Sequence, residues 1–214
     1  TLANQAALAS GSVTRGAKVF EQANCATCHI PPYFVDNRIH PLPEIGTNPA
    51  RGISRVGLDP FLVPPLLYTF DTPIPPPADA KTFQVPTEGI TPDPTSFPPG
   101  LLPDGGYKTL PLRALYLSAP YLHDGGVAVG KQALQINSDG TFAVVKPEKL
   151  GLVGTLARGD LPDPAHSLRA LVDRNLREQV VAANQSSSEL LNSNLDGRGH
   201  PYYVDATTGF SPQE

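Results

Sequence analysis

Residues 25–29 read Cys25-Ala26-Thr27-Cys28-His29, and they hold both cysteines of a 214-residue chain. A Cys-x-x-Cys-His run is the attachment sequence of c-type haem, in which two thiols add to the porphyrin vinyl groups and the histidine takes one axial position on iron. The spacing has a physical basis. Two intervening residues let the chain turn so that both sulfurs reach neighbouring edges of one macrocycle, and the imidazole that follows is carried beneath the metal. A thioredoxin-like redox pair would leave His29 without a role, and a structural zinc site would need a second ligand pair where no further cysteine exists. The motif predicts one covalently bound haem c, held by Cys25, Cys28 and His29.

Upstream, Ser12 is a capping candidate for a helix through Gln22, with Val13, Gly16, Ala17 and Phe20 on one face. An ordinary amphipathic helix would carry that glycine as a cost in stability. With the haem motif directly behind it, the segment resembles the N-terminal helix of class I cytochromes c. In that family a glycine and an aromatic four apart let a C-terminal helix cross closely, and Gly16 and Phe20 occupy those places. The resemblance implies a mostly α fold: a class I cytochrome c-like helical core with long Pro-rich irregular loops and a small β-hairpin insertion.

The length fits a single elaborated mono-haem domain over residues 1–214. Sixteen Lys and Arg against 20 Asp and Glu give a formal net charge of -4, which argues against nucleic acid and anionic membrane surfaces as partners. No stretch approaches the roughly 20 apolar residues of a membrane span, so no transmembrane segment is expected. The chain opens Thr1-Leu2-Ala3 without an initiator methionine and reads as a mature, exported polypeptide. Haem attachment in the c-type family takes place outside the cytoplasm, which implies a periplasmic or extracellular location and a cleaved signal peptide.

Prolines number 25, and over half lie in a belt of about residues 60–111. Runs such as Pro73-Ile74-Pro75-Pro76-Pro77 suit neither a helix interior nor a central strand. Phe61, Leu62, Leu66, Leu67, Tyr68, Phe70, Phe83 and Phe97 make the belt too apolar for a solvated tether, so it is expected to wrap the core as ordered, irregular chain. Short apolar alternation on either side of Asn137-Ser138-Asp139-Gly140 predicts a hairpin over about 133–145. A helix is expected from the cap Asp163-Pro164 through about Ala183, with Leu168, Leu171, Val172, Leu176 and Val180 facing the core.

The stretch Thr109-Leu110-Pro111-Leu112-Arg113, followed by Ala119-Pro120-Tyr121-Leu122-His123-Asp124-Gly125, offers by spacing alone one histidine in a glycine-bounded turn. It resembles the segment in di-haem cytochrome c peroxidases, methylamine-dehydrogenase maturation enzymes and haem rubber oxygenases where threonine-proline-leucine-arginine leads into alanine-proline-tyrosine-x-histidine-x-glycine. Leu110 interrupts the first part. Pro32 to His40 is similar to that superfamily's phenylalanine-threonine-aspartate run ending in histidine, and Glu44 to Arg51 to the glycine-threonine-aspartate-proline turn of the rubber-oxygenase branch. Those enzymes carry two haems, whereas this chain has one attachment motif. The resemblance therefore implies the electron-relay domain of such a protein, its C-terminal haem domain, and not the peroxidase or oxygenase activity.

The chain contains no methionine, so the His/Met pairing of high-potential cytochromes c is impossible within it. Besides His29 there are His40, His123, His166 and His200. His166 reads as a surface residue, and His40 would need a sharply folded loop to reach the iron. Gly199-His200-Pro201-Tyr202 resembles the glycine-histidine-x-aromatic segment that supplies the distal histidine of the relay haem in the rubber-oxygenase branch. That resemblance implies His29 and His200 as the metal ligands, a low-spin bis-histidine haem, and outer-sphere electron transfer to redox protein partners. His123 is the competing distal residue, and in the family it orders the loop beside the haem. Arg113 and Arg51 are candidates to pair with haem propionates, since a guanidinium matches a carboxylate bidentately. Tyr121 and Tyr202 are candidate haem-contact residues that would equally serve as packing.

Ser211-Pro212-Gln213-Glu214 carries the signature of a helix start, and a final helix is expected beyond it. Two alternatives stay open. An empty distal position would make the protein a peroxidase- or oxygenase-type enzyme with His123 or Tyr121 as acid-base group. The proline belt would also suit a subunit of an oligomer or a larger electron-transfer complex, even a filament.

Overall fold

The computed structural model describes residues 10–36, 38–48, 106–190 and 195–214, together with Gln5, Ser193 and the backbone of 67–69 and 72–74. In chain order the elements are α1 (Ser12–Gln22), β1 (Ile39–Pro41), α2 (Leu42–Ile45), β2 (Leu67–Thr69), β3 (Thr72–Ile74), β4 (Gly106–Lys108), β5 (Leu134–Ile136), β6 (Phe142–Val144), α3 (Pro164–Val172) and α4 (Arg174–Gln185). The chain divides into two compact units. One comprises Thr1–Asn37, Gly46–Asn48 and Thr109–Glu214, the other Arg38–Ile45 and Pro49–Lys108.

In the second unit β1 pairs antiparallel with β4, and β2 with β3. Pro73 sits opposite Tyr68 in a sheet of two strands, where every strand is an edge and a missing N–H is tolerated. His40 is buried on β1, with Nδ1 2.7 Å from Glu44 Oε1 four residues on. Most of the proline belt lies outside the described residues.

The first unit is built around an apolar cluster of Tyr121, Val127, Val129, Ala133, Leu134, Leu150, Ala170, Leu176 and Val180. Five of those nine residues come from chain outside the helices and strands, which reaches a dry interior by giving its polar groups to neighbours. Ser167 on α3 supplies one such partner: its hydroxyl accepts the Val129 N–H at 3.0 Å, and Val129 O accepts the Asp163 N–H at 2.8 Å. β5 and β6 form an antiparallel pair with Leu134 opposite Val144 and Ile136 opposite Phe142, closed by Asn137–Gly140. Inward Leu134 and Val144 pack this hairpin on the core.

Three local expectations are corrected. Ser12 is the first helical residue of α1 and not its cap; that place belongs to Gly11 in a left-handed conformation (φ 69°), while the Ser10 hydroxyl accepts the Ser12 N–H. The inward face also differs. Val13 is 51% exposed and Gly16 and Ala17 face solvent, whereas Val19 is buried and Phe20 meets Phe34 edge-to-face at 5.7 Å. Finally, the helix expected through Ala183 is two helices broken at Asp173. Asp173 is extended (φ -100°, ψ 119°) and its carboxylate accepts the Leu176 N–H, as Asp163 accepts that of His166 at the start of α3. The apolar spacing runs through this break in register, so periodicity alone could not reveal it.

Candidate functional site

α1 delivers the Cys-x-x-Cys-His segment. After the helix ends, Asn24 turns the chain with φ 59°, and Cys25–Thr27 form one 3₁₀ turn. The His29 N–H donates to Cys25 O at 2.9 Å, which closes the turn that carries both sulfurs. Cys25 and Cys28 are half-buried thiols without a disulfide. Burial pushes the Cys25 thiol above its ordinary pKa, so it stays protonated at neutral pH.

His29 Nδ1 lies 3.0 Å from the carbonyl oxygen of Phe34. A carbonyl only accepts, so Nδ1 carries the proton and the lone pair on Nε2 is left for a metal. This is the outer hydrogen bond by which ligating histidines are usually fixed in tautomer and ring orientation. Phe34 itself sits at φ 56°, a left-handed position that a bulky residue adopts only under tertiary constraint. Its ring contact with Phe20 supplies that constraint from α1.

His200 lies in the loop that follows α4, also left-handed at φ 52°. Its Nδ1 is buried and has no hydrogen-bond partner. Burial, then the charge of Arg177, then that of His29 push its pKa down to about 4, so the imidazole is neutral at physiological pH and in the form that ligates metals.

A buried polar network holds the His200 loop. The Asp124 carboxylate accepts the N–H groups of Gly126 at 2.8 Å and Gly197 at 2.9 Å. Asn184 on α4 accepts the Leu152 N–H at 2.7 Å and donates to the carbonyls of Gly126 at 2.9 Å and Asp196 at 3.1 Å. Asp196 in turn accepts from the Asn48 amide at 3.2 Å. The backbones are pressed together so closely that side chains would not fit. A Cβ on Gly126 would fall on the Gly197 backbone, and one on Gly199, which has φ 98°, would lie 2.5 Å from Thr47 Cα. Thr47 and Asn48 thus wall the loop that carries His200.

The other candidates are placed as follows. His123 sits half-buried in the same turn as Asp124, behind Leu122 at φ 68°. Tyr121 is a core residue: it is 6% exposed and its hydroxyl donates to Leu115 O at 2.8 Å, which commits the proton that a distal acid would need. Arg113 is exposed, with its guanidinium 5.5 Å from the centre of the Tyr33 ring. Tyr202 stacks obliquely on His200 at 5.1 Å. His166 is half-buried near Gly130 O, and Arg51 lies outside the described residues. Sequence reasoning passed over Phe34, Asp124, Arg177, Asn184 and Asp196. The polar residues Arg177 and Asn184 on the otherwise apolar face of α4 were the available signal for two of them.

Two thiols at haem spacing, a histidine whose Nδ1 is tied back, and a second neutral histidine with an orphaned buried nitrogen form a donor set that fits a covalently held haem. No helix among the described residues is long and apolar enough to cross a membrane. No protein-family model, curated protein or solved structure matches the chain.

Proposed function

We propose that the chain is a mono-haem c-type cytochrome domain that transfers electrons, in which Cys25 and Cys28 hold haem c and His29 and His200 are its axial ligands. The observation that carries this is the bond from His29 Nδ1 to the Phe34 carbonyl, because it orients the motif histidine as a ligand and nothing in the motif itself requires it. When bound, the haem would supply a one-electron ferric/ferrous couple. The chain's own residues do the rest. Cys25, Cys28 and His29 would hold the group, and the neutral imidazole of His200 would supply a second nitrogen ligand in place of peroxide or oxygen. Without methionine, the pairing of two imidazoles favours a lower potential than His/Met ligation would. The partners are redox proteins met at an exposed haem edge, and the setting is periplasmic or extracellular, where c-type haem is attached.

The test is a low-temperature electron paramagnetic resonance spectrum of the ferric, haem-loaded protein. A low-spin bis-histidine signal that becomes high-spin in His200→Ala, with carbon monoxide binding readily only in that variant, is the expected result. A high-spin wild-type protein that binds carbon monoxide would overturn it in favour of an enzyme with an open distal site.

A further inference from the structure

Arg177 is a full charge in the interior, 2% exposed, and its position on α4 is not explained by helix chemistry. It lies in the first turns, where the helix dipole disfavours a cation. Burial lowers its pKa, opposed by the field of Tyr203 and Asp124, and among the described residues it forms no ion pair. All its hydrogen bonds go to main-chain carbonyls. Nε donates to Ala170 O at 2.9 Å and Nη2 to Leu171 O at 2.5 Å, which caps the last turn of α3. Nη1 donates to Gly197 O at 3.1 Å and to Gly199 O at 2.8 Å.

Those two carbonyls bracket the approach to His200. Asp124 already holds the Gly197 N–H, so the same residue is gripped from both sides, by an anion at its nitrogen and a cation at its oxygen. One guanidinium thus ties the end of α3 to the loop that carries His200, two carbonyls on each side. Lysine, a point donor, cannot span four carbonyls as the planar guanidinium does.

We propose that Arg177 is the positioning residue of the distal ligand: its guanidinium fixes the Gly197–Gly199 carbonyls that deliver the His200 imidazole and sets a buried positive charge beside it. This rests on His200 being that ligand. The fork limits the loop to one arrangement, which a residue in left-handed conformation would otherwise leave. The charge disfavours the ferric state of a nearby iron relative to the ferrous and so raises the midpoint potential.

Four haem-loaded proteins decide it: wild type, His200→Ala, Arg177→Gln and Arg177→Lys. In Arg177→Gln the high-spin fraction should rise about tenfold, the weight of one charged hydrogen bond. Added imidazole should restore the low-spin signal, and the midpoint potential should fall. Arg177→Lys keeps the charge and loses the fork, so its high-spin fraction should rise while its potential stays near wild type. A wild-type spin state and potential in Arg177→Gln, beside a high-spin His200→Ala, would overturn this proposal alone. A wild-type spectrum in His200→Ala would instead remove the ligand assignment, and the proposal with it. If Arg177→Gln does not fold by circular dichroism, Arg177→Lys decides on the same two readouts; if neither folds, Arg177 is a core residue and the proposal falls.

Discussion

The two imidazoles are held in opposite ways. His29 belongs to a contiguous segment: a helix, a left-handed asparagine, one 3₁₀ turn and a single bond to a carbonyl five residues on. His200 is held by residues from distant parts of the chain, since Asn48, Asp124, Arg177 and Asn184 all act on the four residues before it. Local anchoring tolerates change because little else depends on it. The His200 loop, by contrast, is pressed against two other backbones, and a perturbation there spreads into the core.

The largest effect is expected where backbones touch. Gly199→Ala places a Cβ against Thr47 and Asn48 at a φ that alanine resists, and Gly126→Ala drives one into Gly197. Each should cost about 4 kcal/mol or more by thermal unfolding of the haem-loaded protein, with loss of the low-spin signal. A melting curve like that of wild type would mean the loop is not clamped.

Asn184→Ala strands the Leu152 N–H and the Gly126 and Asp196 carbonyls inside the protein. A loss of about 3 kcal/mol is expected, and an Asn184→Asp variant, which cannot donate, should recover little of it. Denaturant titration of the three proteins side by side gives the answer.

The pH response should separate the two histidines. His200 titrates near 4 in the folded chain against 6.5 when unfolded. The unfolded state therefore binds the extra proton between those values, and stability falls as pH is lowered through that window while staying level above it. For the haem-free polypeptide the loss is on the order of 3 kcal/mol at pH 4, and His200→Ala should remove the slope. An unchanged slope in that variant would assign it to other groups.

The smallest effects belong to the His29 side. Phe20→Leu breaks the ring pair that backs Phe34 and should cost about 1 kcal/mol by denaturant titration. Gly16→Ala should stabilise by about 0.5–1 kcal/mol, because nothing lies within 4 Å of a Cβ built there. Destabilisation instead would reveal a close-crossing partner on that face, the arrangement that the class I resemblance implies.

Much of the local structure was legible. The cap and proline at Asp163-Pro164 announce α3, and alternation around Asn137–Gly140 announces the hairpin, because both depend on neighbours in sequence. The break at Asp173 was hidden because its apolar flanks keep helical register. The inward face of α1 was misjudged for a related reason: spacing defines an apolar stripe but not which neighbour arrives to cover it, and here Phe34 draws Phe20 inward while Val13 stays in water.

By itself the sequence determined a Cys-x-x-Cys-His pentapeptide, the absence of methionine and a set of four further histidines. These are matters of covalent spacing and composition, which folding cannot alter. Only the tertiary structure decided that the His29 ring is tied to the Phe34 carbonyl, that Tyr121 serves the core, and that burial and the charge of Arg177 keep His200 neutral. Those outcomes depend on desolvation and on hydrogen bonds between residues far apart in the chain, and such forces exist only once the backbone has closed around them.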